Sequence, residues 1–178
     1  GLHYGYWTHI WDTDYSHYIK KAAGLGFDIV ELNSVPFVTM EKNRVEEVKH
    51  AADESGVQLT FCGGLKDDGD VSSEDPARRK KGIADLRSMC ETVHYMGGSY
   101  LSGILQGVWP CNYATSGANG GILDDKRPYL ERSAASVREA AKAAQEYGIT
   151  FNLEVVNRFE QFLLNTAREG LEFIQMVD

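Results

Sequence analysis

Five times along this chain a short apolar run gives way to an amphipathic stretch, and four of those stretches close on glycine. Such alternation constrains the fold strongly, because a strand returned by a helix re-enters its sheet in the same direction. Residues 2–7 read as the first strand. A helix follows from Asp14, with Tyr15, Tyr18, Ile19, Ala22 and Ala23 on its apolar face and Gly24 and Gly26 at its end. The next strand–helix pairs are 27–32 with 41–55 and 57–62 with 75–96, the second helix stopped by Gly56 and the third opened by Asp75 and Pro76. A strand at 100–105 leads into a Gly- and Asn-rich loop reaching Asp125, followed by a helix from Pro128 to Tyr147. Residues 149–156 form the fifth strand, and 166–177 a helix capped by Asn165 or Thr166.

Two architectures use this order, an open doubly wound sheet and a (β/α)₈ barrel. A dinucleotide-binding sheet carries a Gly-rich loop after its first strand. Here that position holds Trp7, Thr8, His9, Ile10 and Trp11. The long loops follow strands, where barrel enzymes place their chemistry. The expected fold is therefore α/β, a (β/α)₈ TIM barrel of which this chain covers about the first five units. A closed barrel needs eight units and about 250 residues. We therefore expect residues 1–178 to be the N-terminal part of a single barrel domain, with the C-terminal units absent from this chain.

A formal net charge of -8 argues against a nucleic-acid partner, since phosphate binding calls for a basic patch. Arg78, Arg79, Lys80 and Lys81 read as a solvated helix face. No stretch approaches the length of a membrane span, and no charged region leads into an apolar signal segment. Cys62, Cys90 and Cys111 have no metal-type spacing and fit a reducing cytoplasm.

The chemistry gathers on the run Leu153, Glu154, Val155, Val156, Asn157, Arg158, Phe159, Glu160. A carboxylate on so apolar a strand needs a partner: a metal ion, a sugar hydroxyl or an arginine such as Arg158 or Arg168. Asn152, Glu154 and Val156 share one face, and if it is the interior, Glu154 emerges at the mouth of the barrel. Carboxylate oxygens suit a hard divalent cation. Glu31, at similar height on the second strand, is either a second carboxylate of the site or a hydrogen-bonded rim residue. His3 and His9 are each read as ligands or as packed or exposed histidines. Trp7, Trp11, Trp109 and Phe159 gather at strand ends, a wall for the carbon face of a sugar. Cys62 either lines that wall or is an inert buried thiol, with no basic partner evident.

These residues resemble the ketose 3-epimerases (D-tagatose and D-allulose, or psicose, 3-epimerase) of the xylose-isomerase-like barrels. The resemblance is carried by Tyr6, Trp7 and Trp11; by Leu25, Gly26, Phe27, Asp28 and Ile29; and by Ser72, Ser73, Glu74 and Asp75. It continues through Trp109 and Pro110, the run from Leu153 to Glu160, and Asn165, Thr166, Ala167, Glu169 and Gly170. It implies a divalent cation, Mn²⁺ or else Mg²⁺ or Co²⁺, holding the ketose oxygens at C2 and C3. One glutamate removes the C3 proton to give a cis-enediolate, and a second returns a proton to the opposite face. Glu154 matches the first, metal-binding glutamate, and Glu160 the one that hydrogen-bonds the sugar. Trp11, Cys62, Ile104 and Trp109 match residues lining the sugar pocket. His3 stands where an aromatic residue is usual, and the loop from Tyr113 to Pro128 is longer than usual.

The resemblance places the remaining metal ligands and the second glutamate on later strands, so this chain alone is expected to be inactive. It further implies a ketose substrate and a homodimer or homotetramer for the intact protein. Alternatives are an aldose–ketose or hydroxypyruvate isomerase, an inosose dehydratase, or a non-catalytic truncated fragment. A metal-dependent abasic-site nuclease is disfavoured by the acidic balance.

Overall fold

The computed structural model describes residues 1–111 and 125–178. The Gly- and Asn-rich loop expected after the fourth strand falls largely at 112–124, outside the described residues.

Strands β1 (Leu2–His3), β2 (Ile29–Asn33), β3 (Gln58–Leu65), β4 (Tyr100–Val108) and β5 (Thr150–Leu153) form one parallel sheet in sequential order. Helices α1 (Tyr15–Gly24), α2 (Lys42–Ser55), α3 (Pro76–Tyr95) and α4 (Arg127–Glu146) make the crossovers, and α5 (Ala167–Val177) follows β5. Sequential parallel order is the arrangement of barrel strands. An open dinucleotide-binding sheet would reverse direction part-way.

Side-chain alternation separates the two faces of the sheet. Val30, Leu32, Leu59, Phe61 and Leu101 are buried in one core with Ile19 and Ala22 of α1, Val48 of α2, Leu86 and Met89 of α3, and Val137 of α4. The opposite parity carries polar groups in register: His3 beside Glu31, and Asn33, Cys62, Ser102 and Asn152 in one row.

Helix ends follow the local chemistry foreseen for them. Asp14 Oδ1 accepts from the His17 amide at 3.0 Å, and Asp75 Oδ1 from Ala77 at 2.8 Å. Thr166 and Glu169 form a capping box at α5, and Gly56 ends α2 in the left-handed conformation.

All five strands differ from their expected bounds: β2 runs from Ile29 to Asn33 where 27–32 is expected, and β4 runs on past 105 to Val108. The first ends at His3, because residues 4–6 wind into a 3₁₀ turn whose entry is capped by His3 itself. The third runs on through Gly63 and Gly64 to Leu65, so the glycines do not end it. They lie against β4, where Gly103 has φ 119° and a Cβ would overlap the Gly63 carbonyl oxygen. The fifth ends at Leu153, leaving Glu154 one residue beyond it but still joined to β4 through its amide, which donates to the Gly103 carbonyl at 2.9 Å. Beyond Gly64 the register with β4 shifts, Leu65 pairing with Val108, so residues 105–107 bulge from the ladder. Among the described residues no helix is long and apolar enough to cross a membrane.

Candidate active site

The polar face of the sheet brings together most of the residues singled out from the sequence. His3 Nε2 lies 3.5 Å from Cys62 Sγ, although β1 and β3 are two strands apart. Flat strands at that separation are almost 10 Å from each other. Their side chains converge because the sheet curves toward this face.

Glu154 stands at the end of β5 on the same side. Partial burial raises its carboxyl above the ordinary range, and the negative charges of Glu160 and Glu31 raise it further. Among the described residues neither Arg158 nor Arg168 forms an ion pair with it. The structural ion pair considered from sequence is therefore not made. These neighbouring negative charges disfavour the ionised form of Glu154, a cost that a cation beside it would offset. Among the described residues the compact group of ligand-type atoms is that of His3, Glu31 and Cys62, to which Glu154 does not belong.

The mouth of the curve is spanned by a chain of contacts. Trp11, in the loop after β1, meets Trp109 at the end of β4 edge-to-face, with ring centroids 6.0 Å apart. Trp109 Nε1 donates to Glu160 Oε2 at 3.0 Å, and Asn157 Nδ2 donates to the other carboxylate oxygen. The Glu160 carbonyl in turn accepts from the Cys111 amide at 2.8 Å. Both Tyr4 and Tyr15 donate their hydroxyls to the Trp11 carbonyl, so the loop carrying this indole is tied to the core. Ile104 is buried beside these groups, next in register to Gly64.

Two aromatic residues expected on this wall stand elsewhere. Trp7 stacks on Tyr18 with Lys21 above its ring, and Phe159 projects into solvent at 88% exposure. His9 is exposed, and its side chain makes no hydrogen bond or ion pair among the described residues.

At the foot of the site, His3, Glu31 and Cys62 offer ligand-type atoms that all lie within 4.8 Å of one another. Cys62 therefore does have an imidazole neighbour, which sequence spacing did not reveal. Burial, followed by the charges of Glu31 and Glu154, nevertheless pushes the thiol up to about 12. It stays protonated near neutral pH and is no nucleophile. Burial lowers the His3 value, favouring the neutral ring. The Gly5 amide donates to His3 Nδ1 at 3.0 Å, so the ring proton of that neutral form sits on Nε2.

The pattern of the xylose isomerase-like TIM barrel family matches residues 19–178. The chain belongs to the xylose isomerase-like TIM barrel family. Within that family it is 38% identical over 178 residues to a D-psicose 3-epimerase of Ruminiclostridium cellulolyticum, covering all of this chain and 58% of that protein. It is 34% identical over 151 residues to an L-ribulose 3-epimerase of Mesorhizobium japonicum, covering 84% of this chain and 46% of the relative. The crystal structure of a D-psicose 3-epimerase with D-tagatose from Clostridium cellulolyticum H10 superposes with a TM-score of 0.91 at 38% identity, over all of this chain and 59% of the other. This chain thus spans less than two thirds of the length of these xylose isomerase-like relatives.

One contributor to the site escaped the sequence reading. Gln106, fully buried in the β4 bulge, donates from Nε2 to the Glu154 backbone carbonyl at 3.0 Å, while its own backbone carbonyl accepts from Ser133 Oγ at 2.6 Å. The available signal was a lone amide in the otherwise apolar run Ile104, Leu105, Gln106, Gly107, Val108. Such a group goes inside only when it has a hydrogen bond to make.

Proposed function

We propose that this chain forms the first five units of a metal-dependent ketose 3-epimerase barrel, and that residues 1–178 are the N-terminal part of one domain completed by further strands. The observation that carries the reading is the assembly of Glu154, Glu160, Trp109 and Trp11 along one curved polar face. The names of the relatives add support.

The sugar's carbon face packs on the Trp11 and Trp109 rings, with Cys62 and Ile104 lining the same pocket. Glu160, already oriented by Trp109 and Asn157, accepts a hydroxyl near the reacting carbon. A carboxylate oxygen of Glu154 removes the C3 proton, giving a cis-enediolate. Its carbonyl, fixed by Gln106, holds that side chain at the mouth of β5. A divalent cation held by Glu154 (Mn²⁺, with Mg²⁺ and Co²⁺ also suited to carboxylate oxygen) would supply a Lewis acid for the ketose carbonyl. Inversion at C3 requires a second acid on the opposite face of the sugar, and this group and the remaining ligands belong to the strands that complete the barrel. The chain alone is accordingly inactive. The intact protein is a cytoplasmic homodimer or homotetramer, an assembly that sedimentation velocity reads.

Glu154→Gln in the full-length protein tests the assignment. It keeps the side chain's size and removes the base, so conversion of D-fructose to D-allulose should fall to background and Mn²⁺ affinity should drop. Retained turnover would show that another group takes the proton.

A further inference from the structure

Glu31 and His3 face the same space with complementary needs. An ionised carboxylate only accepts hydrogen bonds, and among the described residues the Glu31 carboxylate has no hydrogen bond and no ion pair to satisfy it. The Gly5 amide occupies His3 Nδ1 and so leaves an Nε2–H donor pointing into the site. Its nearest acceptor is the Cys62 sulfur at 3.5 Å, a poor one. A hydroxyl group answers both residues at once, donating to Glu31 and accepting from His3.

The same trio is compact enough to suggest a cation, but the imidazole argues otherwise. Binding a metal through Nε2 would displace the ring proton while Nδ1 still accepts from Gly5, leaving an imidazolate. Alternatively it would break the hydrogen bond that starts the turn after β1.

We propose that His3 and Glu31 form a donor–acceptor pair that selects ketoses bearing a hydroxyl at the end remote from the reacting carbons. This rests on the epimerase reading of the same site. The direction follows from sugar geometry. C1 is one bond from C2, so only the C4–C6 arm extends from Glu154, beyond β5, toward groups on β1 and β2. A site built to hydrogen-bond a hydroxyl discriminates against an analogue lacking it, because its own polar groups are then left unpaired.

The experiment compares kcat/KM of the full-length protein for D-fructose and for 6-deoxy-D-fructose. The unsubstituted protein should favour the hydroxylated sugar by roughly 10- to 100-fold, since the site is half open to water. Glu31→Gln and His3→Phe should each bring that ratio toward one, chiefly through KM for D-fructose. His3→Gln, which keeps an N–H donor, should restore most of it. A merely structural role would lower activity on both sugars alike and leave the ratio unchanged, which overturns the proposal, as would a ratio near one in the unsubstituted protein. Zn²⁺ titration supplies a separate arm. One equivalent bound by Glu154→Gln and lost on Cys62→Ser would mark the trio as a cation site and overturn the pairing. If the unsubstituted protein neither turns over D-fructose nor shows fluorescence quenching of Trp11 and Trp109 with it, the epimerase reading fails and the subsite falls with it. Turnover with an unresponsive ratio removes the subsite alone.

Discussion

The indole of Trp109 donates to Glu160 across 3.0 Å, tying the end of β4 to the loop that follows β5. The bond joins a wall residue to a polar one, so the sugar's apolar face and one of its hydroxyls are positioned by a single unit. Trp109→Phe keeps an aromatic wall but deletes the donor. A hydrogen bond to a charged group contributes about 1.5–3 kcal/mol. KM for D-fructose should therefore rise about 10-fold or more, with a smaller change in kcat, as steady-state kinetics will read.

The unpartnered carboxyl of Glu31 sets a dependence of stability on pH. Burial raises it above its ordinary value of 4.5, so the folded state holds this proton more tightly than the unfolded chain does. A raised carboxyl weakens the fold above its folded value and costs nothing below the unfolded one. Glu31→Gln should thus melt higher than the parent at pH 7. That gap should close as pH falls through the raised value to about 4.5 and below. Melting curves of metal-free protein across this range check the sign.

Cys62 should resist alkylation despite its histidine neighbour. With the thiol pushed up to about 12, its thiolate is scarce at pH 8, and iodoacetamide labelling should run on the order of 100-fold slower than for a free cysteine. Peptide mapping by mass spectrometry after timed labelling measures it. Rapid labelling would mean that the imidazole draws the thiol proton.

Gly103 should tolerate no side chain. Its φ of 119° is closed to other residues, and a Cβ there would overlap the Gly63 carbonyl oxygen across the β3–β4 pair. Gly103→Ala should cost roughly 2–5 kcal/mol, visible in denaturant unfolding, and should displace the Glu154 amide that bonds to the Gly103 carbonyl.

The order of elements could be read from the sequence because short apolar runs alternate with amphipathic ones, and helix ends carry Asp14, Asp75, Thr166 and Gly56. The placement of Glu154 at the mouth of β5 also followed from counting by twos along Phe151, Asn152 and Leu153. What stayed hidden depends on curvature. His3 and Cys62 are 59 residues apart in sequence, and nothing in either segment announces that their side chains meet. The reach of Gln106 to Glu154 likewise depends on a three-residue slip in pairing. Glycines misled at β3, because Gly63 reads as a stop by propensity, yet it sits inside the strand where a Cβ would meet the Ser34 hydroxyl at 2.7 Å and the Met89 sulfur at 3.1 Å.

The parity of the sheet has a further consequence. Val30 and Leu32 point into the helices while Glu31, between them, points into the site. Sliding β2 by one residue would drive Glu31 and Asn33 under the helices and expose Val30 and Leu32 in the cavity. A molecule misassembled in this way loses its core and its chemistry together, so the protein has no well-folded but miswired form. Packing energy acts here as a proofreader of the reaction centre.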